Sequence, residues 1–238
     1  MRSKKKSLII IALFFILGLI AGLWYHGSWL TASTKNNPGD YIVLLHGLGR
    51  TSWSMHILGV RLAKQGYRII NANYPSTKDS IEHLSDTYLA DALDRDYKDT
   101  TRRIHFVTHS MGGPMVRYFL TTHKIEHLGR AVMIAPPSKG SELADIWSAS
   151  KRLSASMGPA IHEMTTYKNS LVNTLPPPYY EVGIIAGKRD EKISVENTKL
   201  EGMKDFLIVN REHTFIMIAK EVTDATIHFL KNGNFKPE

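Results

Sequence analysis

The residues of this chain best suited to act together chemically are Ser110, Asp190 and His213, with two backbone donors at Leu48 and Met111. Serine is a weak nucleophile until a base takes its proton, and the base needs an acid to fix its tautomer. Ser110 lies in Thr108-His109-Ser110-Met111-Gly112-Gly113. The apolar run Ile104 to Val107 before it reads as a buried strand. Met115, Val116, Phe119 and Leu120 after it are spaced as the inner face of a helix. A serine on such a sharp strand-to-helix turn stands above the sheet edge and leaves no room for bulk two positions away, a demand that Gly112 meets. Thr108 stands where the G-x-S-x-G pattern has its first glycine, so the motif is a variant. The plainer alternative is a helix N-cap serine followed by a glycine turn.

The partners of Ser110 follow later strands. Asp190 ends Gly187-Lys-Arg-Asp190, just after the penultimate strand, and Glu191 beside it is a competing acid. His213 follows the last strand, where the chain turns into a terminal helix. Of the eleven histidines, His105 lies inside a strand, His228 on a late helix, and His123 and His127 at a helix end. No pair has convincing metal-ligand spacing, so neither a metal nor a cofactor is expected. Acyl transfer also needs donors for a tetrahedral oxyanion. The N–H of Met111 and that of Leu48, in the turn His46-Gly47-Leu48-Gly49, are the candidates, with His46 holding the turn. Neither the dinucleotide fingerprint nor the phosphate loop is present.

These groups converge only if strands deliver them to one edge. Tyr41–Leu45, Tyr67–Ile70, Ile104–Val107, Arg130–Ala135, Tyr180–Ala186 and Phe206–Val209 are apolar runs of strand length. Helical patterns alternate with them: Trp53 to Leu62, Ile81 to Ala92 behind an Asp79-x-x-Glu82 start, and Phe215 to Leu230. The alternation predicts an α/β fold with a mostly parallel central sheet flanked by helices and a ligand site beyond the strand carboxyl ends. Residues 138–178 exceed what a direct crossover needs and are expected to form a small helical cap. Within it Leu143, Ile146, Trp147, Leu153, Met157, Ile161 and Met164 are expected to face either the domain beneath or a substrate, Trp147 foremost.

At 238 residues and 43% hydrophobic content the chain suits one domain over 41–238, with residues 31–40 as a linker. Residues 1–30 differ. Arg2, Lys4, Lys5 and Lys6 precede Leu8 to Tyr25, eighteen residues without a charge, long enough to span a bilayer. The basic side stays in the cytoplasm, so the domain is expected outside it, held by a membrane anchor or released from a cleaved signal segment. Setting aside those four cations leaves 26 Lys and Arg against 22 Asp and Glu, too mild and scattered an excess for nucleic acid. With no cysteine, disulfides, thiolate metal sites and a cysteine nucleophile are excluded.

The combination of His46-Gly47-Leu48-Gly49, Thr108-His-Ser-Met-Gly-Gly113, Asp190 and His213 resembles the α/β-hydrolase superfamily. It is most similar to bacterial lipase- and esterase-like members whose elbow reads [A/T]-H-S-M-G-G. Asn73-Tyr-Pro-Ser76 and Ala135-Pro-Pro-Ser-Lys-Gly-Ser-Glu142 resemble that group too, and the likeness runs from about Tyr41 to Leu230. It implies the fold and a Ser-His-Asp esterase acting on an ester or lipid-like substrate through an acyl-enzyme. Thioesterases and acyltransferases share the pattern, and an inactive membrane-anchored scaffold could keep the fold.

Overall fold

The computed structural model describes residues 29–235. The apolar segment Leu8 to Tyr25, with the anchor or signal expected there, lies outside the described residues. Among those described, no helix is long and apolar enough to cross a membrane.

Six strands, β1 (Tyr41–Leu45), β2 (Arg68–Asn71), β3 (Ile104–His109), β4 (Leu128–Ile134), β5 (Val182–Gly187) and β6 (Asp205–Val209), form one sheet. Every pairing is parallel, in the order β2-β1-β3-β4-β5-β6. Parallel strands need crossovers, and these bring helices over both faces. Val43, Leu45, Phe106, Met133 and Ile184 point to one face, where they meet Ile81, Leu84, Met115, Val116 and Phe119. Ile42, Leu44, Val107, Val132 and Ile185 point to the other, against Leu58, Leu62, Val222 and Phe229. Both alternating sets are buried, which is why the strands read as unbroken apolar runs. Each such side chain contributes about 1.5–3 kcal/mol relative to exposure.

The helices are α1 (His56–Ala63), α2 (Ile81–His83), α3 (Ala90–Asp96), α4 (Gly112–Thr122), α5 (Glu142–Ala149), α6 (Lys151–Met157), α7 (Ala160–Glu163), α8 (Leu171–Thr174), α9 (Val195–Thr198) and α10 (Lys220–Asn232). A π-helical segment, Leu84–Leu89, joins α2 to α3. From β1 the chain moves outward to β2, then returns to β3 on the other side of β1. The segments leaving β1 and β3 therefore diverge, and a crevice opens between their carboxyl ends.

Helices α5 to α8 fill the long connection between β4 and β5. Buried Arg117 of α4 ties this insertion down, donating to the carbonyls of Ser138 (3.2 Å), Val172 (3.1 Å) and Leu175 (3.0 Å). Arg117→Met keeps much of the apolar stem but leaves these carbonyls without their donor. It is expected to lower unfolding stability by about 3 kcal/mol, seen as a lower urea midpoint at unchanged slope. A midpoint equal to the parent's would show that the insertion stands without the arginine.

Several local expectations change. Ile146 and Leu153 are 65% and 38% exposed, so they face solvent rather than the domain or a substrate. The cap of α2 is Ser80, whose hydroxyl accepts from the His83 N–H, rather than Asp79. The final helix starts at Lys220 after a 3₁₀ turn, Ile216–Ile218, with Phe215 exposed. The i, i+3 spacing of apolar residues suits a 3₁₀ turn as well as an α-helix. A helix over residues 29–34 runs from the end of the expected anchor or signal segment into the stretch expected as linker, and Leu30 is buried. Thr34 and Thr31 accept the outward N–H groups of Ile69 (2.9 Å) and Asn71 (3.2 Å), closing the β2 edge against further pairing.

Candidate active site

Ser110 directly follows β3 and has φ +54°, a left-handed conformation that costs a non-glycine residue about 1 kcal/mol or more. The turn is fixed on both sides. Its N–H donates to the Ile134 carbonyl of β4, and its own carbonyl accepts from Gly113, both at 2.9 Å. Helix α4 then passes so close to β1 that a Cβ on Gly112 would lie 2.8 Å from the Leu45 backbone oxygen. That contact explains glycine two residues after the serine.

Asp190 and His213 reach Ser110 from the ends of β5 and β6. The His213 ring places Nε2 3.1 Å from Ser110 Oγ and Nδ1 2.7 Å from Asp190 Oδ2. With Nδ1–H donating to the carboxylate, Nε2 is left as the acceptor for the serine hydroxyl, as a general base requires. The carboxylate is fully buried, and its Oδ1 accepts from the N–H groups of Lys192 and Ile193, both at 2.9 Å. Glu191 is exposed and approaches the main-chain N–H of His213 (3.4 Å) rather than the ring.

The turn after β1 comes up against this group. Among the described residues, neither the Leu48 N–H nor the Met111 N–H has an acceptor. His46 is buried, and burial pushes its pKa down to about 4, so the ring is neutral. It stacks on Tyr74 at 3.9 Å, with Nδ1 3.0 Å from the Gly47 carbonyl. The Tyr74 hydroxyl donates to the His46 carbonyl. Ser76 Oγ accepts the Gly49 N–H at 3.0 Å, and Asn73 Oδ1 accepts the Ser52 N–H at 3.0 Å. The segment Asn73-Tyr-Pro-Ser76 is thus a brace for the turn, a role its sequence did not reveal.

His109 was also missed as a participant. Burial holds its pKa well below the usual histidine range, with the neighbouring His213 a lesser cause. As a neutral ring it donates from Nε2 to the His213 carbonyl at 3.1 Å and stands 4.8 Å from the His213 ring. Its place beside the serine in sequence was the available signal, but the contact crosses 104 residues.

Ser110 and His213 open into a cavity of about 290 Å³ with Leu48, Arg50, Leu143, Trp147, Met157 and Ile161 among its walls. Trp147 is half-buried and also touches the core beneath. Ser141 caps α5 and donates to the Lys192 carbonyl (2.7 Å), joining the insertion to the loop after β5. A larger groove of about 760 Å³ runs beside β2 and has neither a serine–histidine pair nor an acid–histidine pair in its lining. No group of three or more His, Asp or Glu among the described residues is placed to hold a metal ion.

Residues 42–190 match the family model described as the alpha/beta hydrolase family. No protein of curated function matches the sequence. The lipase BlEst2 of Bacillus licheniformis in its mature form is similar in structure, with TM-score 0.60 and 18% identity over 82% of this chain and 92% of that one. A carboxylesterase structure from Nitrososphaera gargenis has TM-score 0.56 and 16% identity over 82% and 91%. The type II thioesterase YbtT of a yersiniabactin pathway has TM-score 0.60 and 14% identity over 83% and 95%. At these identities the likeness concerns the fold, and lipases, esterases and a thioesterase share it. The family match covers more than half of the chain, through both the β1 turn and the serine turn: the protein belongs to the alpha/beta hydrolase family.

Proposed function

We propose that the protein is a serine hydrolase of carboxylic esters, working through Ser110, His213 and Asp190. The observation that carries this reading is the unbroken chain Asp190 Oδ2, His213 ring, Ser110 Oγ at 2.7 and 3.1 Å, with two unengaged N–H groups beside it. Ser110 Oγ attacks the ester carbonyl as His213 Nε2 takes its proton. The N–H groups of Leu48 and Met111 hold the oxyanion. On collapse, His213 returns the proton to the departing alcohol and the acyl group remains on Ser110. Water, deprotonated by the same ring, then releases the acid and restores the serine. Thioesters would follow the same course, and the likeness to a thioesterase gives that second reading its support.

The cavity walls suit an apolar acyl chain. Leu143, Ala144, Trp147, Met157, Ile161 and Met164 all come from the insertion. Each methylene buried there adds up to ~0.8 kcal/mol of binding until the cavity ends. The decisive experiment combines labelling by a fluorophosphonate with a panel of esters of graded acyl length, using Ser110→Ala as control. A folded protein that neither labels nor hydrolyses would be a scaffold. On the same panel Trp147→Ala is expected to move the optimum towards longer chains, because removing the indole opens the cavity. An equal loss on acetyl and octanoyl esters would mean that Trp147 only holds the insertion in place.

The proposal extends to location. Eighteen uncharged residues behind a basic start would insert into a bilayer and leave the hydrolase on the far side from the cytoplasm. The full-length protein should stay with membranes through a high-salt wash, and a reporter fused after Glu238 should work outside the cytoplasm. A soluble form beginning near Ala32 would instead identify a cleaved signal.

A further inference from the structure

The cavity that holds Ser110 is apolar on the side of the insertion and positively charged on the side of the catalytic loops. Two cations line it, Arg50 and Lys192, and no carboxylate does. Arg50 follows the β1 turn. Its guanidinium has no hydrogen-bond or ion-pair partner among the described residues, although it is only partly exposed. Arg68, Arg130 and Arg211, by contrast, each meet a carboxylate. Lys192 lies two residues beyond Asp190, and its ammonium contacts only a neutral group, the Thr214 hydroxyl, at 3.2 Å. Glu191, the nearest acid in sequence, is turned to the His213 main chain and is not part of the lining.

Two cations with no carboxylate beside them in the lining favour an anion brought by the substrate. Its position follows from the chemistry. His213 gives its proton to the leaving group, so the leaving group lies on the His213 side, where Lys192 reaches Thr214. The acyl chain takes the apolar side, away from the cations.

From this arrangement we infer that the preferred substrate carries an anionic group, such as a phosphate, on its leaving half, where Arg50 and Lys192 bind it. The inference rests on the serine-hydrolase reading above and names the substrate class for it. The phosphate could belong to a glycerol ester or to a pantetheine thioester, and the chemistry recognised is the same.

The test uses full-length protein and two matched pairs of monomeric octanoyl substrates. One is octanoylglycerol with and without a 3-phosphate, and the other is S-octanoyl pantetheine with and without its phosphate. The measured quantity is the ratio of kcat/KM for the phosphorylated member to that for its partner, which cancels any loss of folded protein. The expected ratio is about 10- to 100-fold in at least one pair, falling towards unity in the double variant Arg50→Gln/Lys192→Gln. The pair that shows the preference identifies the source of the phosphate. Turnover of all four substrates with ratios near unity overturns the anion inference and leaves the hydrolase reading intact. So does a preference that survives in the double variant. Absence of turnover with every substrate, together with absence of fluorophosphonate labelling, overturns both.

Discussion

Ser110→Ala and His213→Ala are each expected to reduce kcat/KM on the best ester by about 10⁴-fold or more, with the double variant no lower than the worse single one. The reason is that the two side chains act as a unit. Without the ring, the serine hydroxyl has no acceptor at 3.1 Å, and without the hydroxyl the ring has nothing to activate. Asp190→Asn should cost a similar factor with little change in shape. An amide could donate to Nδ1, which moves the ring proton to Nε2 and removes the base. Activity above the uncatalysed rate should remain in all three, because the Leu48 and Met111 donors are untouched. Ser110→Gly separates chemistry from stability. It should be as inactive as Ser110→Ala yet more stable by about 1 kcal/mol, since glycine accepts a φ of +54° without strain. Near-normal turnover by Ser110→Ala would end the proposal. A benign Asp190→Asn together with a damaging Glu191→Gln would move the acid to Glu191.

What the sequence disclosed follows from how each feature is encoded. Strands buried on both faces leave continuous apolar runs, so β1, β3 and β5 were legible to within a residue or two. The convergence of Ser110, Asp190 and His213 was legible because parallel strands send all their carboxyl ends to one edge. Features resting on a single polar contact between distant segments were not. Thr31 and Thr34 look like linker residues, yet their hydroxyls complete the β2 edge from 40 and 35 positions away. Arg117 reads as the polar side of an amphipathic helix, but it is buried among carbonyls of the insertion. Ile146 and Leu153 failed in the opposite direction. Their spacing suited a buried stripe, but α5 and α6 are short, and Ala144 with Trp147 already covers the inner side of α5. Arg50 and Lys192 are ordinary surface cations in one dimension. Only the folded turns put them in the same cavity.

Gly47→Ala is expected to lower kcat by about 10²- to 10³-fold while the protein stays folded, the loss typical of removing one oxyanion donor. A Cβ at this position would stand 3.0 Å from Ser110 Cβ, 3.2 Å from His109 Nδ1 and 3.5 Å from Ser110 Oγ. Neither neighbour can easily yield. Ser110 is held between the Ile134 carbonyl and the Gly113 N–H, and the His109 ring is buried and anchored to the His213 carbonyl. The β1 turn must therefore lift, and it carries the Leu48 N–H with it. Displacement of a preorganised donor by a fraction of an ångström weakens it chiefly where charge develops, so KM should change much less than kcat. Affinity for an alkyl boronic acid, whose serine adduct is tetrahedral, should fall by a factor close to the fall in kcat/KM. The unstrained cost in stability should stay within about 1–3 kcal/mol, because overpacking is confined to one surface-reaching turn. If Gly47→Ala kept the parent kcat and boronic-acid affinity, the Leu48 N–H would not be holding the oxyanion, and the second donor would have to be sought elsewhere along His46 to Arg50.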